Sequence, residues 1–213
     1  MNIILHPVTL ITVILILFIG YLKKTAKAPK MVRGNFISDY QFPPMLNDKL
    51  IEKYPHLRQA QADEIIEGLR TYFQICNVAQ DESENLAMPS QAVDSAWHEF
   101  ILHTKLYDQF CEQAFGRFLH HSPAEGMLSQ TEAQLVLKMT FKHACRLFDI
   151  SRKRPDKLPP IFALDTRLNI PQGFNYSLKC LHENDGSFCL SHIGCMSNYK
   201  ADGKGGFIKK RAS

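Results

Sequence analysis

The sequence predicts an all-α protein built around a small bundle of about four to five helices. Apolar residues recur every three or four positions along two long stretches, 59–78 and 93–118, which is the repeat of one buried helical face. No alternating run of β-branched residues, typical of a strand, occurs between residues 48 and 168. The 213 residues are 45% hydrophobic and 22% charged, a composition that excludes a wholly disordered chain.

The predicted helices follow one another within a domain that spans residues 48–168. Proline, glycine and polar clusters separate them, since these residues end helices. Gly116 is a plausible end for the clearest helix. The segments are 48–56, 59–78, 89–118 and 129–150, followed by 161–168 as either a short helix or an extended piece.

The first 22 residues predict a transmembrane anchor. No Lys, Arg, Asp or Glu occurs from Asn2 to Leu22, and a helix of that length spans about 30 Å, the thickness of the hydrocarbon layer. A cleaved signal peptide is the alternative, but it would carry cations before its apolar run rather than after it. The cations that follow are Lys23, Lys24, Lys27, Lys30 and Arg33, within a Pro-containing linker over 23–47. The positive-inside rule then predicts a single-pass inner-membrane protein whose amino terminus lies outside and whose remaining chain is cytoplasmic.

The last segment, 169–213, predicts an irregular tail that contains glycines, cysteines and basic residues. Its Cys and His residues are thiol and imidazole ligands of the kind that hold zinc, although their spacing is not that of a zinc ribbon or finger. A loose tail with reduced thiols is the alternative. The candidate ligands are Cys180, His182, Cys189, His192 and Cys195. The basic end of the tail, like the basic flank, could contact anionic lipid.

A second candidate metal site lies on the helix that follows Pro89. Asp94 and His98 are four residues apart, so they lie one above the other on the helix surface. His120 or His121 could complete a zinc site across a helix end; adjacent histidines point in different directions, so only one of them can join. The alternative is structural, with the carboxylate orienting a half-buried histidine at the edge of the core.

The same segment supplies predicted core residues. Trp97, Tyr107 and Cys111 belong to its apolar stripe, and Phe115 is assigned to the core with them. A cysteine near a histidine can also act as a thiol nucleophile. The position of Cys111 on the apolar stripe favours burial in the core instead.

The stretch from Met88 to Pro123 resembles the glycine-rich domain-containing protein family of plants and its bacterial relatives. The residues that carry the resemblance are Trp97, His98, Tyr107, Cys111, Phe115 and Gly116, while Phe100 stands where the plant pattern has a second histidine. The resemblance implies an architecture rather than an activity, and it implies that residues 169–213 are a short, degenerate version of a glycine-rich tail.

These observations predict a membrane-anchored cytoplasmic interaction or scaffold module, with the membrane and an unidentified protein as partners. Specific nucleic-acid binding is not expected, because the basic tail lacks interleaved aromatic residues. The alternative is a metal-dependent enzyme or metal-binding protein that uses Asp94, His98 and His120 or His121, or else the Cys/His tail.

Overall fold

The computed structural model describes residues 29–79, 86–121, 130–152 and 154–178, together with three short strand segments nearer the carboxyl end. These residues are mostly helical, as predicted, and they contain seven α-helices and two pairs of short strands. The helices are α1 (Lys30–Asp39), α2 (Met45–Lys53), α3 (Gln59–Val78), α4 (Gln91–Leu102), α5 (Thr104–Phe115), α6 (Gln130–Leu147) and α7 (Pro160–Arg167). The strands are β1 (Tyr176–Ser177), β2 (Phe188–Cys189), β3 (Tyr199–Ala201) and β4 (Phe207–Lys209). β1 pairs with β2 in parallel and β3 pairs with β4 in antiparallel orientation.

The longest helix, α3, is the centre of the bundle and contacts α1, α2, α4, α6 and α7. Its buried face includes Ile65, Leu69, Tyr72 and Phe73, which recur at the spacing of one helical stripe. Gly68 lies where α3 approaches its neighbours most closely. A Cβ added at this position would lie 2.7 Å from a methyl carbon of Val93 on α4, so only glycine permits this approach.

The residues predicted as a linker include a packed helix. α1 covers ten residues of the predicted 23–47 segment and buries Ile37 completely. Arg33, interpreted from the sequence as part of a cytoplasmic basic flank, is 3% exposed and donates a hydrogen bond to the Phe115 carbonyl at 2.9 Å. Lys30 donates to the Val78 carbonyl at 3.3 Å. Both cations therefore satisfy carbonyls at helix carboxyl ends, where positive charge is favoured.

The long helix predicted over 89–118 is two helices. α4 ends after Leu102, and His103, with φ −83° and ψ 59°, departs from helical geometry before α5 begins. The apolar stripe continues through the break, so periodicity alone could not reveal it. Gly116 ends α5 in the left-handed region with φ 65°, as its position in the sequence indicated.

The prediction of a single-pass membrane protein is corrected here. Within the part of the chain that the structure describes, no helix combines the length and the apolar character needed to cross a bilayer. The predicted anchor itself, residues 1–22, lies outside the described residues. The predicted inner-membrane location, topology, anchored scaffold function and membrane partnership are therefore not supported.

Candidate metal site

Helix α4 carries two of the candidate ligands, and a buried carboxylate holds its amino end. Ser90 is the N-cap residue: its hydroxyl accepts a hydrogen bond from the Val93 N–H at 3.2 Å and donates to Asp165 Oδ1 at 2.6 Å. Asp165 also accepts from the Gln91 N–H at 2.7 Å and from the Ala92 N–H at 3.2 Å. Since a helix amino end presents unpaired N–H groups and positive partial charge, this carboxylate fixes where α4 begins.

Aromatic packing fixes the rotation of α4 about its axis. Trp97 is 3% exposed, and its ring packs against Tyr72 and Phe73 of α3 at centroid distances of 5.1 and 5.8 Å. Its indole N–H donates to the Tyr107 hydroxyl at 3.0 Å, which ties α4 to α5. With Trp97 facing inward, Asp94 and His98 lie at the edge of the bundle, where their side chains are 20% and 50% exposed.

The third ligand arrives from the non-helical segment that follows α5. His121 Nε2 lies 2.8 Å from Asp94 Oδ1, and the His121 side chain is 10% exposed. Its ring packs edge-on against Trp97, with centroids 4.4 Å apart, and against His98, also at 4.4 Å. Twenty-seven residues of chain separate Asp94 from His121, so this pair is a product of tertiary structure.

Asp94, His98 and His121 form one cluster of metal-ligand type. One ligand atom from each residue lies within 4.8 Å of the other two. His98 Nδ1 lies 3.7 Å from Asp94 Oδ2. Zinc bound tetrahedrally at about 2.0–2.1 Å needs ligand atoms about 3.3–3.4 Å apart. The cluster therefore needs adjustments of about an ångström, with His121 and Asp94 separating slightly and His98 moving inward.

The donor set suits a first-row divalent cation. Two imidazole nitrogens and one carboxylate oxygen are ligands that zinc accepts, and three protein ligands leave a fourth position for water. Half of the His98 side chain is exposed, so the cluster is accessible from solvent. The residues present fit a zinc ion on chemistry and spacing.

The remaining sequence-predicted site residues are not part of this cluster. His120 is exposed, and its ring lies 5.0 Å from that of Phe118. Of the predicted tail ligands, Cys189 lies in β2, where only the backbone is described, and Cys180, His182, His192 and Cys195 lie outside the described residues.

The residues predicted for the core are buried. Tyr107, Cys111 and Phe115 are each at most 2% exposed. Burial raises the pKa of the Cys111 thiol above its usual value, which keeps this group in the protonated, weakly nucleophilic form. Cys111 is thus a small apolar residue of the interior rather than a reactive thiol.

Asp165 positions the helix that carries two of the ligands, and the sequence alone does not identify it. It is 3% exposed and also accepts a hydrogen bond from the Phe174 N–H at 2.9 Å. Within the sequence it resembles any acidic residue of a short amphipathic helix, because its partners at the start of α4 are more than seventy positions away. The only local signal was a carboxylate next to the apolar pair Ala163-Leu164.

Fold and site together define a mostly helical protein with a carboxylate–dihistidine cluster at the edge of its bundle. Residues 32–196 match the model of the family described as UCP032817-like, and the chain belongs to this family. The resemblance to the glycine-rich domain-containing protein family is therefore wrong. Neither the curated proteins nor the solved structures gave a match. The description of the family names no activity.

Proposed function

We propose that this protein binds a zinc ion through Asp94, His98 and His121 and holds it in a site of the catalytic type. The observation that carries the proposal is the convergence of these three ligands, from two separate parts of the chain, within 4.8 Å of one another. Two of them share a helix face and would lie near each other in any helix, but the third is brought in by the fold.

Each residue has a distinct role in this proposal. His121, the least exposed of the three, forms the inner side of the site against the Trp97 ring. Asp94 faces both histidines, and its carboxylate supplies the negative charge that attracts a cation to the site. His98 forms the outer side and leaves the site accessible from solvent.

A zinc ion in such a site lowers the pKa of a bound water to about 7 and polarises carbonyl or phosphoryl oxygens, so hydrolysis is the class of chemistry it would support. The chain's own contribution would be to hold the three ligands together at the solvent-accessible edge of the bundle. Asp165 and Trp97 hold α4, and hence Asp94 and His98, in place for that role.

Zinc content of the purified full-length chain tests the proposal. We expect about one zinc ion per chain after dialysis against zinc without chelator, and loss of that zinc in Asp94→Asn and His121→Ala. His120→Ala is the matched control, because His120 is adjacent in sequence but exposed and outside the cluster. Circular dichroism verifies that each variant is folded.

A second set of variants separates the helical site from the cysteine-containing tail. Replacement of Cys180, Cys189 and Cys195 together by serine should leave zinc bound. The cobalt-substituted wild-type chain, which keeps these cysteines, should show no thiolate-to-metal charge-transfer band. Zinc that persists in His121→Ala and disappears in the triple serine variant would overturn the proposal. So would a wild-type chain that retains no zinc, in which case Asp94 and His121 are a structural hydrogen-bonded pair.

A further inference from the structure

A hydrogen-bond relay connects the interior of the bundle to the segment that carries His121. We propose that Tyr107 is a positioning residue that places His121 for metal binding. The inference rests on the proposed zinc site and concerns how its most distant ligand is brought into place. The relay runs from the Trp97 indole N–H to the Tyr107 hydroxyl at 3.0 Å, and from that hydroxyl to the Leu119 carbonyl at 2.5 Å.

The Tyr107 hydroxyl uses both its donor and its acceptor function in this relay. Tyr107 is fully buried, and its bond to the Trp97 indole forms away from competing water, while its bond to the Leu119 carbonyl is partly buried. A phenylalanine at this position would fill the same space but leave the Trp97 N–H and the Leu119 carbonyl without this partner. The effect of the hydroxyl is therefore separable from the effect of the ring.

The bond to Leu119 acts two residues before His121. After Gly116 ends α5, residues 117–121 adopt neither helix nor strand, so side-chain contacts must define their path. Leu119 is where this segment is hydrogen-bonded to α5, through its carbonyl to Tyr107 and through a backbone hydrogen bond to the Cys111 thiol. A fixed carbonyl at Leu119 limits where the next two Cα atoms can lie.

The same relay also orients the His121 ring. The Trp97 ring, held by its bond to Tyr107, packs edge-on against His121 with centroids 4.4 Å apart. Tyr107 thus acts on His121 by two routes, through the backbone at Leu119 and through the Trp97 ring. Partners that orient a ligand from outside the coordination sphere typically change metal affinity by 10–100-fold.

Zinc affinity of Tyr107→Phe, measured by competition with a chromophoric chelator, tests the inference. We expect a loss of about tenfold relative to the wild-type chain. Tyr72→Phe is the matched control. Tyr72 is also buried, packs against Trp97 at 5.1 Å, and donates to the Leu86 carbonyl at 2.9 Å. This carbonyl belongs to the segment before α4, not to the segment that carries His121. The zinc affinity of Tyr72→Phe should stay within about twofold of wild type.

A double-variant cycle with cobalt checks that Tyr107 acts through His121. In a His121→Ala background, where Asp94 and His98 bind cobalt weakly, Tyr107→Phe should cause no further loss of affinity. Equal affinities of Tyr107→Phe and wild type, or an equal loss in Tyr72→Phe, would overturn the positioning role and leave the zinc site standing. A wild-type chain that binds no zinc would instead remove the proposed function itself.

Discussion

Asp165 holds the amino end of helix α4 and Asp94 lies on that helix, and the two carboxylates differ in what surrounds them. Asp165 is 3% exposed and accepts hydrogen bonds from one hydroxyl and three backbone N–H groups. Asp94 is 20% exposed at its side chain and faces two histidine rings. The partners of Asp165 are fixed donors, which leave it nothing to offer a ligand. The partners of Asp94 can exchange a proton for a cation, so this carboxylate is the one available for chemistry.

The largest expected loss of stability follows from replacing the buried carboxylate of Asp165. Asp165→Asn, with its amide nitrogen in place of Oδ2, puts a donor against the N–H groups of both Gln91 and Phe174 and removes the charge that favours the start of α4. We expect the free energy of unfolding to fall by about 2–6 kcal/mol, since each of two buried donors left unpaired costs about 1–3 kcal/mol. Urea unfolding followed by circular dichroism measures it.

Asp156→Asn is the control for this change, because Asp156 is an exposed aspartate outside both regions. A loss for Asp165→Asn no greater than that of the control would contradict the structural role of Asp165. Asp165 would then contribute no more to stability than an exposed aspartate does.

Replacement of the Asp94 carboxylate should have a smaller effect on stability, and this effect should depend on the metal. Zinc at a hundredfold excess over its dissociation constant stabilises the native chain by about 2.7 kcal/mol. Asp94→Asn should abolish that gain, yet change the metal-free stability by only about 1 kcal/mol, because the amide oxygen can still accept a hydrogen bond from His121. Thermal unfolding with and without zinc measures both quantities.

Asp108→Asn serves as the matched control, since Asp108 is an exposed aspartate on α5. If the metal-free chain lost as much stability in Asp94→Asn as in Asp165→Asn, the two carboxylates would be equivalent structural groups. Retention of the full zinc-dependent gain in Asp94→Asn would exclude this carboxylate as a ligand.

Alkaline pH tests the ionisable groups that are buried in the interior of the bundle. Burial raises the pKa of the Cys76 thiol to about 12, and burial together with the charge of Asp165 raises that of Tyr176. A pKa raised in the folded state gives stability that is fully present below the unfolded value and is lost as pH rises towards the folded one. Cys76 alone should therefore cost about 1.4 kcal/mol per pH unit between about pH 9 and 12.

The measurement is the urea midpoint as a function of pH, with Cys76→Ser as the control. Serine does not ionise in this range, so the variant should show a shallower decline whatever its stability at pH 7. Identical slopes for the two chains would contradict the effect of Cys76.

Much of the helical body could be predicted from local pattern, and the failures have specific physical causes. The stripe of α3 is periodic because one face packs inward, and the sequence displays it directly. The break at His103 is invisible to periodicity because both helices bury the same stripe. The sequence predicts a linker where α1 lies because these residues are weakly patterned and include cations, whereas Arg33 is buried against a helix end formed more than eighty residues later.

The sequence by itself determined that the chain is mostly helical and that Asp94 and His98 share a helix face, because both follow from the 3.6-residue period of the α-helix. It left His120 and His121 as equal alternatives. Only the tertiary structure decided between them: the segment after Gly116, held at Leu119, directs His121 towards Asp94 and leaves His120 exposed. The physical reason is that a contact between residues far apart in sequence depends on how separate helices pack, which no local period encodes.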